Sequence, residues 1–329
     1  IELYFIIHSS IFYPNSPTSE FMYQFDFQVF QERRSNFLKK INGKAAIIPG
    51  AELVKHHADC EYPFRQNSDF WYLTGFDEPD SVALFLAHKP EGERFILFVN
   101  EKDAISEVWH GFRWGTIGAE EVFKADKSHP IQQLAEKLPD YLKGADEIIF
   151  TIGKNQKIEP IILDLWANQL DNFSRLGNAP TSIKPVGLYL NEMRLIKSNY
   201  EINRMREAAQ ISAEGHELLR LCMHSKNNER QLQGVIEGFF LEKGTRGPAY
   251  NTIIASGDNA CILHYTANNS ALKKGDLLLV DAGCSLTDYY NGDITRTFPL
   301  GGKFSGEQRA IYEIVLSAQK HAIENVVVG

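Results

Sequence analysis

The sequence predicts two successive domains: an α/β domain with a mixed sheet and flanking helices, then an α+β domain in which two helices precede a sheet. Three observations support this. The chain has 329 residues, more than one hydrophobic core usually organises. In the first half, short apolar runs rich in β-branched and aromatic residues are interspersed with helical patterns. A segment rich in Gly, Asn and Pro, residues 174–187, then interrupts the pattern as a linker would.

The first domain is predicted to begin with a helix in YQFDFQVFQERRSNFLKK, where apolar residues recur at helical spacing. Strands are predicted in AAIIPG, SVALFLAH, RFILFVN and DEIIFTIG, and helices in PIQQLAEKLPDYLKGA and EPIILDLWANQL. We assign residues 1–22 to an extension outside the fold, 23–180 to the first domain and 181–329 to the second.

The second domain opens with two helical patterns, NYEINRMREAAQISAEGHELLRLCM and NERQLQGVIEGFFLEKG, and Gly244 marks the end of the second helix. Strands follow in AYNTIIASG, CILHYT, DLLLVDAGC and DITRTFPL, and GEQRAIYEIVLSAQKHAIENVV predicts one more helix. The predicted order is therefore helix, helix, sheet.

Composition limits the classes of function. A net charge of -8 provides no basic face to neutralise phosphates, so we expect no nucleic-acid partner. No apolar run reaches the ~18 residues that a membrane span requires, so we expect no membrane association and a cytoplasmic protein. The four cysteines show no CxxC spacing and are expected to be reduced and buried.

Two aspartates, Asp281 and Asp293, stand where predicted strands meet a turn in LLLVDAGCSLTDYYNGDITRTFP, and LLLV is predicted to be a buried strand. If the strands pair as a hairpin, the carboxylates can converge, and like charges a few ångströms apart are costly without a cation between them. Carboxylate oxygens suit Mn²⁺ and related divalent ions. The alternative is ordinary turn chemistry, in which each aspartate only accepts backbone hydrogen bonds.

His264 lies in the predicted strand CILHYT, where it alternates with Ile262 and could face the same cleft as the aspartates. The alternative is a structural histidine that only satisfies a local hydrogen bond.

Several motifs together resemble one family. HYTANNSALKKGDLLLVDAG and NGDITRTFPLGGKFSGEQRAIYEIVLSAQ resemble the first half of the catalytic domain of the aminopeptidase P (Xaa-Pro aminopeptidase) group of pita-bread metallopeptidases. ADCEYPFRQNSDFWYLTGF resembles that group's N-terminal domain signature, and EMRLIKSNYEINRMREAA resembles its interdomain segment. The resemblance extends from about Gln28 to Gly329.

The resemblance implies release of the N-terminal residue from peptides with proline in second position, by a centre of two divalent metal ions usually supplied as Mn²⁺. It implies that Asp281 binds one metal ion, that Asp293 bridges both, and that His264 contacts the substrate or the tetrahedral intermediate. Trp109 matches a tryptophan that can reach a neighbouring subunit's active site, which implies a homo-oligomer of the full-length protein. The alternative for Trp109 is packing inside its own domain.

The sequence departs from the family pattern in two respects. Eleven residues, Ala282 to Gly292, separate the aspartates where the family usually has ten, and we expect LTDYYNG to absorb the extra residue. The family's further ligands, a histidine and two glutamates from the second half of the pita-bread domain, have no counterpart before Gly329. We therefore expect a truncated chain with only the first helix-helix-sheet repeat and an incomplete active site.

Two alternative functions stay open at this point. A dipeptidase of the prolidase type shares the aspartate pair, although YPFRQNSDFWYLTGF favours aminopeptidase P. A non-catalytic binding module would keep the pita-bread fold without its chemistry.

Overall fold

The structure, a computed structural model, describes residues 27–176 and 179–328. The extension assigned to residues 1–22 lies outside the described residues. The chain divides into two compact units between Ile196 and Lys197.

The first unit contains a mixed six-stranded sheet with helices, as predicted. Its elements, in chain order, are α1 (Phe27–Lys40), β1 (Ala45–Pro49), β2 (Lys55–His57), β3 (Cys60–Glu61), α2 (Ser68–Thr74), β4 (Val82–Leu86), β5 (Phe95–Val99), α3 (Ala104–His110), α4 (Gly115–Glu121), β6 (Lys127–Pro130), α5 (Leu134–Leu142), β7 (Ile148–Ile149), α6 (Ile158–Asp171), α7 (Phe173–Leu176), β8 (Ile183–Lys184) and α8 (Gly187–Leu195).

Helices cover both faces of this sheet, whose strand order is β6-β5-β4-β1-β7-β8. Because side chains alternate along a strand, Ala46 and Ile48 of β1 pack on one face with α1, α2, α4 and α8. Ala45 and Ile47 point to the other face, where α5 and α6 complete a second core. The strand segments of the runs AAIIPG, SVALFLAH and RFILFVN, namely AAIIP, VALFL and FILFV, are therefore continuously apolar because both faces are buried.

The first unit continues past the boundary predicted after residue 180. Strand β8 pairs with β7 in parallel register, so the predicted linker, residues 174–187, contributes a strand to the sheet. Leu190 of α8 is fully buried in the same core as β1. These contacts explain why the division falls after Ile196.

The second unit has the predicted order of two helices followed by a sheet. It contains α9 (Asn199–Cys222), α10 (Glu229–Glu242), β9 (Ile253–Ser256), β10 (Leu277–Ala282), β11 (Ile294–Pro299) and α11 (Gly306–Glu324). The strand predicted in CILHYT is wrong, because a 3-10 helix, Gly257–Cys261, leads into a turn there. Around this segment, hydrogen bonds from side chains replace those that pairing with a neighbouring strand would provide.

The sheet of the second unit is antiparallel, with order β11-β10-β9, and its two faces differ. Leu278, Val280 and Ala282 of β10 are fully buried against α9 and α10. Leu279 and Asp281 point to the other face and are only half-buried. The prediction that LLLV is a buried strand therefore holds for one face only, because the loop carrying Tyr265 covers the second face only in part.

The expectation of buried cysteines holds for Cys284 and is wrong for the others. Cys60 and Cys261 are exposed because Cys60 lies in the short β2–β3 hairpin and Cys261 ends a 3-10 helix. Cys222 is half-buried. Among the helices of residues 27–176 and 179–328, none is both long enough and apolar enough to cross a bilayer.

Candidate active site

Strands β10 and β11 form an antiparallel hairpin that presents both predicted aspartates on one face. Asp281 lies opposite Thr295, whose hydroxyl donates a hydrogen bond to Asp281 Oδ2 at 2.7 Å. Asp293 precedes Thr295 by two residues, so the two-residue period of a strand places it on the same face. Both aspartates line one cleft. The structure thus brings together the pair that the sequence singled out.

The loop between the aspartates accommodates its extra residue at the tip. The register of β10 and β11 continues unchanged to a bridge between Ser285 and Asn291. The tip, residues 286–290, contains Tyr289 with a φ of +66°. The extra residue therefore lies within LTDYYNG, and Asp293 stays on the same face of the hairpin as Asp281.

Two glycines allow the hairpin to close beside the aspartates. A Cβ atom on Gly283 would lie 1.8 Å from the carbonyl oxygen of Gly292 on the opposite strand. A Cβ atom on Gly292 would lie 2.1 Å from Ser212 Oγ of α9. The glycines of the DAG and NGD motifs thus allow the strands and α9 to approach closely, which fixes the spacing of the carboxylates.

A buried ion pair anchors the tip of the hairpin to α9. The side chain of Asp288 is 1% exposed and accepts hydrogen bonds from Arg204 Nε at 2.7 Å and from Arg204 Nη2 at 3.1 Å. The Tyr200 hydroxyl donates to the same carboxylate at 2.8 Å. Because the tip joins the two aspartate-bearing strands, this ion pair also stabilises the geometry of the candidate site.

Tyr250 belongs to the site, although the sequence analysis missed it. Its hydroxyl donates a hydrogen bond to Asp293 Oδ1 at 3.1 Å, and its side chain lines the same cleft. Burial, together with the adjacent carboxylates of Asp281 and Asp293, raises the pKa of Tyr250. The phenol therefore stays protonated and acts as a donor at neutral pH. A single tyrosine before a strand carries no motif that sequence reasoning could have used.

A carboxylate oxygen of Asp281 that lacks a hydrogen-bond partner within the described part of the chain indicates that Asp281 and Asp293 together fit a cation. Asp281 Oδ2 accepts from Thr295, but Oδ1 is buried and has no hydrogen-bond partner among the described residues. A buried acceptor left without a partner costs about 1–3 kcal/mol, and more when it is charged. A divalent cation held between Asp281 and Asp293 would satisfy this oxygen, so the residues present fit the metal centre that the sequence predicts.

His264 lines the same cleft, which has a volume of about 400 Å³. The imidazole is exposed and stands on a turn rather than on the predicted strand. Asn251 and Thr266 contribute polar groups beside it. The structure thus places His264 in the cleft of the aspartates, and its contact with a substrate stays a prediction.

Trp109 lies on α3 in the first unit and is 79% exposed. This exposure argues against packing inside its own domain. Its predicted contact with a neighbouring subunit stays a prediction.

The carboxylate pair is an incomplete ligand set. Within the two described ranges, 27–176 and 179–328, no group of three or more His, Cys, Asp or Glu side chains could hold a metal ion. Most coordination positions of an ion bound by Asp281 and Asp293 would therefore be left to other ligands or to water.

Comparison with known sequences identifies the family to which the chain is similar. Residues 30–150 match the family described as "Aminopeptidase P, N-terminal domain", and residues 203–329 match "Metallopeptidase family M24". The Xaa-Pro aminopeptidase of Haemophilus influenzae is 40% identical over 306 residues, which cover 91% of this chain and 67% of that protein. The Xaa-Pro aminopeptidase of Escherichia coli is 39% identical over 293 residues, or 88% of this chain and 66% of that protein.

Solved structures show the same likeness. Zn-substituted E. coli aminopeptidase P in complex with product superposes with a TM-score of 0.86 at 37% identity, covering 93% of this chain and 70% of that one. The aminopeptidase PepP of Pseudomonas aeruginosa gives a TM-score of 0.86 at 36% identity, covering 93% and 69%.

The fold is that of a metallopeptidase with a pita-bread catalytic domain. The chain belongs to metallopeptidase family M24, in the group that carries an aminopeptidase P N-terminal domain before the catalytic domain. It spans about two thirds of the length of these curated relatives.

Proposed function

We propose that this chain is part of a metal-dependent aminopeptidase that releases the N-terminal residue from peptides with proline in second position. The observation that supports this most directly is the cleft shared by Asp281, Asp293 and His264. Relatives at 39–40% identity are named Xaa-Pro aminopeptidases, which supports the substrate class.

In this proposal Asp281 and Asp293 would hold the divalent ions, Asp281 as a ligand of one ion and Asp293 as a ligand shared by both. Manganese is the proposed metal, because carboxylate oxygens suit it and the resemblance to aminopeptidase P implies it. When bound, such ions polarise a peptide carbonyl and lower the pKa of water. The unpartnered Oδ1 of Asp281 is the oxygen available to a cation.

The neighbouring side chains orient the carboxylates and the substrate. The Thr295 hydroxyl occupies Asp281 Oδ2 and so fixes the rotation of that carboxylate. The Tyr250 hydroxyl does the same for Asp293 through Oδ1. The exposed imidazole of His264 can donate a hydrogen bond to the carbonyl oxygen of a bound peptide as negative charge develops on that oxygen.

We further propose that the remaining metal ligands come from polypeptide outside residues 27–328. The 329-residue chain should therefore show no hydrolysis of an Xaa-Pro tripeptide with excess Mn²⁺, because two carboxylates leave the metal centre incomplete. A protein extended beyond Gly329 by the second repeat of the domain, here called the extended protein, should hydrolyse the same peptide.

Both proteins should be assayed side by side for proline-containing dipeptides and tripeptides. The proposal predicts that the extended protein prefers tripeptides. Cleavage of dipeptides alone would identify a prolidase-type enzyme, and no turnover with no Mn²⁺ binding would indicate a non-catalytic module. Turnover by the 329-residue chain that disappears in Asp281→Ala would contradict the incomplete site.

A further inference from the structure

His264 stands on a turn, so its position in the cleft depends on contacts other than a strand ladder. The turn, residues 262–264, is exposed and follows the 3-10 helix Gly257–Cys261. Exposed turns usually sample several conformations unless side chains fix them. The contacts of the flanking residues therefore determine where the imidazole lies.

The carboxylate of Glu229 is the centre of these contacts. Glu229 is the first residue of α10 and is fully buried. Its Oε1 accepts from Ser256 N and Ser256 Oγ, both at 2.8 Å, and from Asn259 Nδ2 at 3.1 Å. Its Oε2 accepts from the Tyr265 hydroxyl at 2.7 Å and from Ser270 N at 2.9 Å. One carboxylate thus binds chain segments on both sides of His264.

These donors keep the carboxylate charged despite its burial. Burial alone would raise the pKa of Glu229, but hydrogen bonds from Tyr265, Ser256, Ser270 and Asn259 lower it. Hydrogen bonds to an ionised acceptor are stronger than those between neutral groups. The anchor therefore remains intact at neutral pH.

Tyr265 connects this anchor directly to His264, which precedes it in the chain. The Tyr265 ring packs on Ile253 and Ala255 of β9, and only 8% of the residue is exposed. With its ring and its hydroxyl both held, Tyr265 restricts the backbone of His264.

Asn268 provides a second anchor on the far side of the turn. It is fully buried with a φ of +46°. Its Oδ1 accepts from Ile254 N at 2.9 Å, and its Nδ2 donates to Thr252 O at 2.7 Å. The amide of Asn268 thus makes hydrogen bonds along β9 that the backbone of a neighbouring strand would otherwise make. This explains why CILHYT forms no strand.

We infer that Glu229 is a positioning residue that, through the Tyr265 hydroxyl, fixes the place of the His264 imidazole in the cleft. The contribution of Glu229 to catalysis rests on the proposed function. Glu229 itself does not line the cleft.

The test is a double-mutant cycle in the extended protein. Tyr265→Phe removes the hydroxyl and leaves the packed ring, so it should lower kcat/KM for an Xaa-Pro tripeptide by about 10-fold to 100-fold, the cost of a small misplacement. In a His264→Ala background the same substitution should have no further effect. Tyr312→Phe, on α11 against Phe304, is the matched control and should leave kcat/KM unchanged.

A second measurement needs no activity. In the 329-residue chain, Tyr265→Phe should shift or broaden the NMR signal of the His264 ring, which His264→Ala identifies, and Tyr312→Phe should not. An unchanged ring signal, or equal losses of kcat/KM with and without His264, would overturn the inference. If the extended protein hydrolyses nothing, the proposed function fails, and the ring signal still decides whether Tyr265 positions His264.

Discussion

Asp293→Asn in the extended protein is expected to lower kcat/KM for an Xaa-Pro tripeptide by about 10³-fold or more. An amide presents one oxygen and one NH₂ group, so it cannot bridge two cations as a carboxylate can. A bound metal centre would stabilise transition-state charge by several kcal/mol, and each 1.36 kcal/mol corresponds to a factor of ten in rate. Initial rates at saturating Mn²⁺ measure this effect.

Asp258→Asn is the control for this substitution, because Asp258 is an exposed aspartate in the same unit that does not line the cleft. It should retain the parent kcat/KM. The Asp293→Asn protein should keep its urea midpoint within experimental error, so that lost activity reports the site rather than unfolding. Parent-like turnover by a folded Asp293→Asn protein would rule out a bridging role.

Asp288→Ala should destabilise the second unit by about 3 kcal/mol, the lower end of the cost of breaking a buried ion pair. The lower end applies because Arg204 is 22% exposed and also contacts Glu207, so it would keep one partner. The substitution also removes the hydrogen bond from the Tyr200 hydroxyl to the hairpin tip. Urea denaturation of the 329-residue chain, followed by the amide NMR signals of the second unit, gives the change in that unit's free energy of unfolding.

Glu313→Ala provides a matched comparison, because Glu313 pairs with Arg309 on the exposed surface of α11. An exposed i,i+4 pair contributes about 0.3–0.5 kcal/mol, so this variant should unfold almost as the parent does. Equal and small losses in both variants would show that Asp288 does not anchor the hairpin.

The first domain could be predicted in outline because its strands are buried on both faces. Within the run RFILFVN, the segment FILFV is apolar at every position, and it forms strand β5 as predicted. The boundary was less predictable. Residues 174–187 have the composition of a linker, yet β8 and α8 pack into the first core, and these tertiary contacts leave no periodic pattern in so short a segment.

The candidate site was predictable where it follows strand periodicity. Asp281 and Asp293 could be placed on one face because the hairpin keeps its register. Tyr250 was missed because its partner Asp293 lies 43 residues away in the sequence. Glu229 was missed because its partner Tyr265 lies 36 residues away. No local pattern encodes such contacts. CILHYT was misassigned because its apolar residues suggested a strand, whereas Glu229 and Asn268 supply the hydrogen bonds instead.

The central claim is that Asp281 and Asp293 converge on a divalent cation, and the most direct test is the location of Mn²⁺ bound to the 329-residue chain. Paramagnetic Mn²⁺ broadens the NMR signals of nearby nuclei, so titration should first broaden the amide signals around Asp281, Asp293 and Tyr250. Asp281→Ala should abolish this pattern. Broadening confined to other acidic surfaces, or unchanged by Asp281→Ala, would contradict the claim.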